Sequence, residues 1–123
     1  MKIADIRTYC LSTPLETPFA YSQGWVKARG ATLVEVITDS GLTGWGESIC
    51  MGLQPPQIAA AAIEHALKPI LIGADPRDLE VLWHRMYHHT RDYGQKGAMM
   101  GALSGVDIAL WDIAGKSLGV PVH

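Results

Sequence analysis

The spacing of the hydrophobic residues changes near residue 55, and this change constrains the fold more than any other feature of the sequence. Before it, apolar and β-branched residues occur in short alternating runs, as expected for half-buried strands. After it, apolar residues recur at the three- and four-residue intervals of helices. At 123 residues the chain has room for one domain. The order of elements therefore predicts an α+β domain in which helices cover one face of an antiparallel sheet.

Three strands are predicted, over residues 2–12, 31–38 and 42–49. Pro14 is expected to end the first strand, because proline is disfavoured inside a sheet. Residues 15–27 are predicted to form a loop, since they contain Pro18 and Gly24. The sequence Asp39-Ser40-Gly41 between the second and third strands is typical of a hairpin turn. The first half of the chain is thus expected to fold as a three-stranded antiparallel meander.

Three helices are predicted in the second half of the chain. The first begins at Pro55-Pro56 and ends at Gly73. The second begins at Asp75-Pro76, where an aspartate cap precedes a proline at the first helical position. The third covers about residues 98–118 and ends at Gly119. A stripe of apolar residues along the third helix is expected to face the core, and it consists of Ala102, Val106, Ala109 and Ile113.

The composition and charge of the chain argue against several classes of function. Ten Lys and Arg residues against twelve Asp and Glu give a net charge of -2, which disfavours nucleic acid or an anionic membrane as a partner. No segment is expected to be apolar over the thickness of a bilayer, and the N-terminus lacks the apolar run of a signal peptide. The near-neutral charge favours a small or uncharged partner. Cys10 and Cys50 are both expected to be reduced, so the sequence indicates a cytoplasmic protein.

Few titratable residues have a spacing that suggests chemistry. His84 and His88 lie four residues apart on the second predicted helix and could bind one metal ion. A zinc protease motif needs a glutamate after the first histidine, however, and Arg85 occupies that position. Solvent-exposed histidines explain the spacing better, with a small zinc protein as the alternative. Asp107 and Asp112 on the third helix do not share a face and are expected to bind backbone or basic groups.

The third predicted strand alternates glycine with larger residues. The sequence Gly44-Trp45-Gly46 indicates either that another backbone approaches closely or that the strand contains a bulge, and it leaves Trp45 to pack on one face. Glu47, which follows, is either a carboxylate at the mouth of a pocket or an exposed charge at a strand end. The same choice arises for the aromatic residues of the predicted loop. They are either core residues or the wall of a ligand site, and they comprise Phe19, Tyr21 and Trp25.

Three segments connect the sequence to a known family. They are Met1-Lys2-Ile3-Ala4-Asp5-Ile6-Arg7, Leu42-Thr43-Gly44-Trp45-Gly46-Glu47, and the run from Val106 to Lys116 that leads into Gly119-Val120-Pro121-Val122. With them the chain resembles, over essentially its whole length, the N-terminal capping domain of the enolase superfamily, in its mandelate racemase and muconate lactonizing branch. Gly105 departs from the family pattern, which usually has alanine there, and glycine inside a helix costs about 1 kcal/mol relative to alanine.

The resemblance implies that the parent enzyme has a capping domain and a separate catalytic domain. Residues 1–118 would form the capping domain, and residues 119–123 would start a linker to a catalytic barrel that this chain is too short to contain. In the family the barrel holds Mg²⁺ through three acidic residues, and a lysine or histidine base removes the proton α to a carboxylate. The resemblance thus implies that the metal ligands and the catalytic residues lie outside this chain, which is expected to be inactive alone.

In the family the capping domain closes over the barrel as a lid, which excludes water and selects the substrate by shape. Its two lid segments correspond to residues 15–27 and 49–55. The resemblance implies that five residues face the substrate, namely Phe19, Tyr21, Trp25, Glu47 and Met51.

The resemblance also leads to expectations about the parent protein. Its reaction is expected to be dehydration of an acid sugar, with a racemase or a cycloisomerase as the alternative. It is expected to be a homo-oligomer that binds a small carboxylate substrate. A stand-alone interaction module without catalysis, which uses the apolar third helix as its contact surface, is a further alternative.

Overall fold

The computed structural model describes residues 1–50 and 52–123, and its architecture is a three-stranded antiparallel sheet with helices on one face. The strands, in sheet order, are β1 (Ile3–Tyr21), β2 (Gly24–Thr38) and β3 (Thr43–Ser48). The helical layer consists of α1 (Pro56–Ala62), a π-helical turn (Ile63–Leu67), α2 (Lys68–Leu71), α3 (Leu79–His89), a 3₁₀ turn (Arg91–Tyr93) and α4 (Ala98–Leu118). The predicted α+β class and the predicted meander are confirmed.

The core lies between the sheet and the helices. Alternate strand residues such as Ile6, Val34 and Val36 point into it, because successive side chains of a strand project to opposite faces. α4 contributes ten buried residues. These include the whole predicted stripe, which comprises Ala102, Val106, Ala109 and Ile113. The periodicity of this segment therefore predicted its buried face correctly.

β3 and α4 approach each other at backbone distance. A Cβ atom added to Gly44 would overlap the Ala109 carbonyl oxygen, and one added to Gly46 would overlap the Gly105 carbonyl oxygen. Only glycine fits at either position, as expected where two backbones meet. Trp45 lies between the two glycines and projects to the other face of the sheet. The structure thus confirms the close approach predicted for this strand.

The first two strands extend beyond their predicted limits. β1 continues past Pro14 to Tyr21 and pairs with β2, so the predictions that Pro14 ends the strand and that residues 15–27 form a loop are wrong. β1 is an edge strand, where a proline need not donate a hydrogen bond to a neighbouring strand. The pairing register shifts between Pro14 and Phe19, and this irregularity accommodates Pro18.

The helices depart from prediction in two places. The first predicted helix contains the π-helical turn Ile63–Leu67, which its apolar periodicity does not reveal. The second begins at Leu79 and not at Pro76. Asp75 instead closes a local turn, since its carboxylate accepts the Arg77 backbone N–H at 3.0 Å and the Arg77 guanidinium at 2.6 Å. Asp75, which was predicted to cap the helix, therefore stabilises the turn before it.

α4 is long and apolar enough to cross a membrane by length and composition, contrary to the expectation that no segment is. In the folded domain, 56% of its most apolar stretch of 18 residues is buried. Burial of this kind is typical of the core helix of a globular domain, and α4 packs in that way against the sheet.

Candidate functional site

The first predicted lid segment forms the end of the β1–β2 hairpin, and the second packs against it. Gly52 lies so close to Tyr21 that a Cβ atom would overlap the phenol hydroxyl, and a Cβ atom on Gly24 would lie 3.1 Å from Leu53 Cδ1. Gly52 also has a φ of +50°, in the left-handed region that favours glycine. The described residues of segment 49–55 are thus packed against the hairpin.

A cleft of about 410 Å³ lies between these segments, and it is lined by Phe19, Tyr21, Gln23, Arg29 and Gly52. The Arg29 guanidinium carbon lies 5.1 Å from the centre of the Phe19 ring, which is a cation–π arrangement. The Tyr21 hydroxyl donates to Gln23 Oε1 at 3.4 Å, so the Gln23 NH₂ group stays available as a donor. Among the described residues no acidic side chain lines this cleft, which is called the Arg29 cleft below.

Arg29 also lines a second cleft, of about 590 Å³, together with Glu47, Ile49 and Cys50. Glu47 is exposed, and within the described part of the chain it forms no ion pair with Arg29. Cys50 Sγ lies 3.7 Å from the hydroxyl of the buried Thr32. Both cysteines are free thiols, as predicted. The second cleft thus combines one positive and one negative side chain.

Trp25 lies apart from these residues. It pairs with Ala20 across the hairpin, whereas Phe19 pairs with Val26, so Trp25 projects to the face opposite Phe19. The Trp25 side chain is 62% exposed and lines a third cleft, of about 410 Å³, together with Lys27.

The structure therefore distributes the predicted substrate-facing residues over three neighbouring clefts. Phe19 and Tyr21 share the Arg29 cleft, Glu47 lines the second cleft, and Trp25 lines the third. Met51 lies outside the described residues. Contact of these residues with a substrate stays a prediction.

Arg29 and Gln23 are site residues that were not predicted from the sequence. Arg29 pairs with Thr13, and its contact with Phe19 crosses the register shift between Pro14 and Phe19, which a predicted loop over residues 15–27 does not reveal. One signal was available, because the two-residue alternation of β2 leads from Leu33 back to Arg29 on the same face of the strand. Leu33 pairs with Glu47 in β3, so this alternation also connects Arg29 with the second cleft.

Two carboxyl groups of α4 have shifted pKa values, and neither lines the three clefts. Burial acts to raise the pKa of Asp112, but hydrogen bonds from Lys116 Nζ at 2.7 Å and the Trp45 N–H at 2.8 Å outweigh it and lower that pKa. Burial raises the pKa of Asp107. Asp112 thus joins α4 to β3, which agrees with the predicted backbone and basic partners.

The histidine and carboxylate side chains do not form a metal site in the described part of the chain. Within residues 1–50 and 52–123, no three His, Cys, Asp or Glu side chains are grouped closely enough to hold a metal ion. His84 and His88 stack with their ring centroids 5.9 Å apart on the exposed face of α3. That part of the chain provides neither the ligand set of a zinc site nor a carboxylate set for Mg²⁺.

Comparison with known proteins decides the family. The sequence model of the mandelate racemase / muconate lactonizing enzyme N-terminal domain matches residues 3–123. The chain belongs to this family of the enolase superfamily. The resemblance stated from the sequence is confirmed, and the sheet-and-helix architecture is that of the family's N-terminal domain.

Relatives of this N-terminal domain include enzymes named for sugar acids and their lactones. D-galactarolactone cycloisomerase of Agrobacterium fabrum is 44% identical over 122 residues, which cover 99% of this chain and 31% of that protein. D-galactonate dehydratase of Verminephrobacter eiseniae is 46% identical over 90 residues, which cover 73% of this chain and 22% of that protein. A racemase from Streptomyces coelicolor A3(2) with bound magnesium has a TM-score of 0.87 at 28% identity, over 94% of this chain and 32% of the racemase. The chain thus spans less than a third of the length of these relatives.

Proposed function

We propose that this domain is the substrate-selecting lid of a Mg²⁺-dependent enzyme that dehydrates an acid sugar. The observation that carries the proposal is the meeting of the two lid segments around the Arg29 cleft and the cleft beside it. Ligand sites of this kind combine apolar walls with a few polar groups that fix orientation, and a polyhydroxylated acid needs both. The galactonate and arabinonate dehydratases among the relatives support this reaction class.

The metal and the catalytic base are proposed to belong to a barrel domain outside this chain. The described residues offer no set of three metal ligands, so the proposal assigns none to this domain. Bound Mg²⁺ would neutralise the charge that develops on the carboxylate when the α proton leaves. The domain itself excludes water and orients the end of the substrate that lies away from the metal. The isolated chain is therefore expected to be inactive, and the cytoplasmic location and the homo-oligomer stay predictions.

Cycloisomerisation is the second candidate reaction. The cycloisomerase relative is similar over 99% of this chain, whereas the galactonate dehydratase is similar over 73% of it. Each reaction would start in this superfamily with removal of a proton α to a carboxylate, so the two candidates differ in the substrate that the lid admits.

Exchange of domains tests the proposal. Residues 1–118 replace the N-terminal domain of the Verminephrobacter dehydratase in one chimera and that of the Agrobacterium cycloisomerase in a second. The first chimera is expected to dehydrate galactonate only when Mg²⁺ is present, whereas the isolated chain and the barrel without a lid do not. If only the second chimera is active, the proposed reaction is cycloisomerisation and not dehydration. Two folded but inactive chimeras would contradict the lid assignment itself.

A further inference from the structure

We propose that Arg29 is the centre of a carboxylate-binding site in the lid and that it selects sugar diacids over sugar monoacids. The inference rests on the proposed lid function, to which it adds a substrate class and a specificity-determining residue. It is carried by the groups around the Arg29 cleft, by the lack of a carboxylate partner for Arg29 among the described residues, and by the position of the cleft between the lid segments.

The groups around the Arg29 cleft are hydrogen-bond donors. The Arg29 guanidinium can bind both oxygens of a carboxylate at once, and the Gln23 NH₂ group, whose Oε1 accepts from the Tyr21 hydroxyl, can donate beside it. No acidic side chain lines the cleft among the described residues. The ring of Phe19 supports the guanidinium from one side at 5.1 Å. The site therefore suits a planar anion and has no acidic group in its wall to repel one.

Arg29 is positioned but has no carboxylate partner among the described residues. Its backbone is fixed by pairing with Thr13 in β1, and the Phe19 ring restrains its head group. The four ion pairs that the described residues form involve other cations. The Arg29 side chain is exposed, and its contact with the Phe19 ring reduces the number of conformations that the guanidinium gives up when a ligand carboxylate binds. Closure of a lid would strengthen the contact, because exclusion of water lowers the local dielectric constant.

The position of the cleft indicates which end of a substrate it meets. In the proposed function the reacting carboxylate lies in the barrel, so the lid contacts the opposite end of the sugar chain. That end is a second carboxylate in a diacid such as galactarate and a hydroxymethyl group in galactonate. Glu47 in the adjoining cleft would repel a carboxylate but can accept hydrogen bonds from sugar hydroxyls. The two clefts together thus favour an acid group at Arg29 and hydroxyl groups near Glu47.

The enzyme arm of the test uses the dehydratase chimera and measures galactarate as a competitive inhibitor of galactonate turnover. Arg29→Gln is expected to weaken inhibition by galactarate about 10- to 100-fold, which is the loss expected for a hydrogen bond to a charged group. The KM for galactonate should change less than about threefold, because the lid end of galactonate is neutral. Arg29→Lys should retain part of the inhibition. Arg91→Gln, an exposed arginine in the 3₁₀ turn, is the matched control and should change neither constant.

The binding arm uses the whole 123-residue chain and does not depend on catalysis. In NMR titrations, galactarate is expected to shift the Gln23 side-chain NH₂ and Gly52 amide resonances, whereas galactitol, which has no carboxylate, should not. These shifts should disappear in Arg29→Gln and persist in Arg91→Gln, with the remaining resonances of both variants unchanged as evidence of folding.

The outcomes of the two arms are distinguishable. Equal effects of Arg29→Gln on galactarate and galactonate in the chimera, or equal shifts with galactarate and galactitol in the chain, would overturn the carboxylate site. Specific shifts in the chain together with inactive chimeras would leave the carboxylate site standing and reject the proposed function.

Discussion

Gly46 of β3 and Gly105 of α4 face each other backbone to backbone. A Cβ atom on Gly46 would overlap the Gly105 carbonyl oxygen, and a Cβ atom on Gly105 would lie 2.9 Å from the Ser48 backbone nitrogen. Glycine at position 105, where the resemblance led us to expect alanine, therefore has a steric reason in this chain. The intrinsic helix preference of alanine, about 1 kcal/mol, is smaller than the usual cost of overpacking two elements.

Substitution of Gly105 tests this packing. We expect Gly105→Ala to lower the free energy of unfolding by about 1–3 kcal/mol in urea denaturation, because β3 and α4 must separate to admit the methyl group. Gly101→Ala on the same helix is the matched control. Its Cβ atom would meet Ile49 Cγ2 at 3.3 Å, and that side chain can move, so the loss should be smaller. Equal losses in the two variants would contradict the backbone contact as the cause.

Asp112 is expected to make the domain sensitive to acid. Burial acts to raise its pKa, but the donors on Lys116 and Trp45 outweigh burial and hold that pKa below its ordinary value in the folded domain. A group of this kind contributes stability that is present above its unfolded pKa and is lost as the pH falls through its folded pKa. Asp112→Asn should therefore lower the free energy of unfolding by about 0.5–1 kcal/mol at pH 7 and by less near pH 3. Urea denaturation at both pH values measures the difference, and parallel pH profiles would contradict the role of Asp112.

Asp107 is expected to act in the opposite direction. Burial raises its pKa, so its contribution to stability is full below the unfolded pKa and is lost as the pH rises through the folded pKa. Asp107→Asn, which removes the charge and keeps the shape, should make the domain more stable than wild type at pH 7. The two proteins should become similar near pH 3.5, where an unperturbed aspartate is largely protonated. Thermal unfolding at the two pH values checks this, and a variant less stable at pH 7 would refute it.

Substitutions at the neighbouring hairpin residues Val26 and Trp25 should have different effects, the first on stability and the second on activity. Val26 is 2% exposed, and Val26→Ala is expected to lower the free energy of unfolding by about 2 kcal/mol because it leaves a cavity. Trp25 is 62% exposed, and Trp25→Ala should change stability by less than about 0.5 kcal/mol. If Trp25 faces the substrate, as predicted, its variant should still lower kcat/KM in the dehydratase chimera. A large loss of stability in Trp25→Ala would instead assign Trp25 a structural role.

The helices show where sequence periodicity suffices and where it does not. α4 was predictable because its apolar stripe persists over the whole segment and because Gly119, with a φ of +67°, ends it in the left-handed conformation. The start of α3 was not predictable from Asp75-Pro76, because the same residues also suit a tight turn that binds the Arg77 side chain. Local capping chemistry does not distinguish these two uses of one aspartate.

The hairpin shows a similar limit for the candidate site. Pro14 and Pro18 are loop formers by local chemistry, but the edge position of β1 and its register shift accommodate both in a strand. The aromatic residues were recognisable as candidates from composition. Which of them share a cleft depends on the pairing register of that hairpin, which puts Phe19 and Trp25 on opposite faces, and on the irregularity after Pro14, across which Arg29 contacts Phe19.

The π-helical turn at Ile63–Leu67 sets the rotational phase of the segment that follows it. A hydrogen-bonded ring of π type encloses one residue more than an α-helical ring, and each α-helical residue rotates the chain by about 100°. Before the turn, the Pro56 carbonyl accepts the Thr32 hydroxyl of β2 at 2.7 Å. After it, Lys68 reaches Asp5 of β1 at 2.6 Å. Deleting one residue from the turn is expected to rotate either Lys68 away from Asp5 or the Pro56 carbonyl away from Thr32. The extra residue thus allows one continuous helical segment to bind both strands.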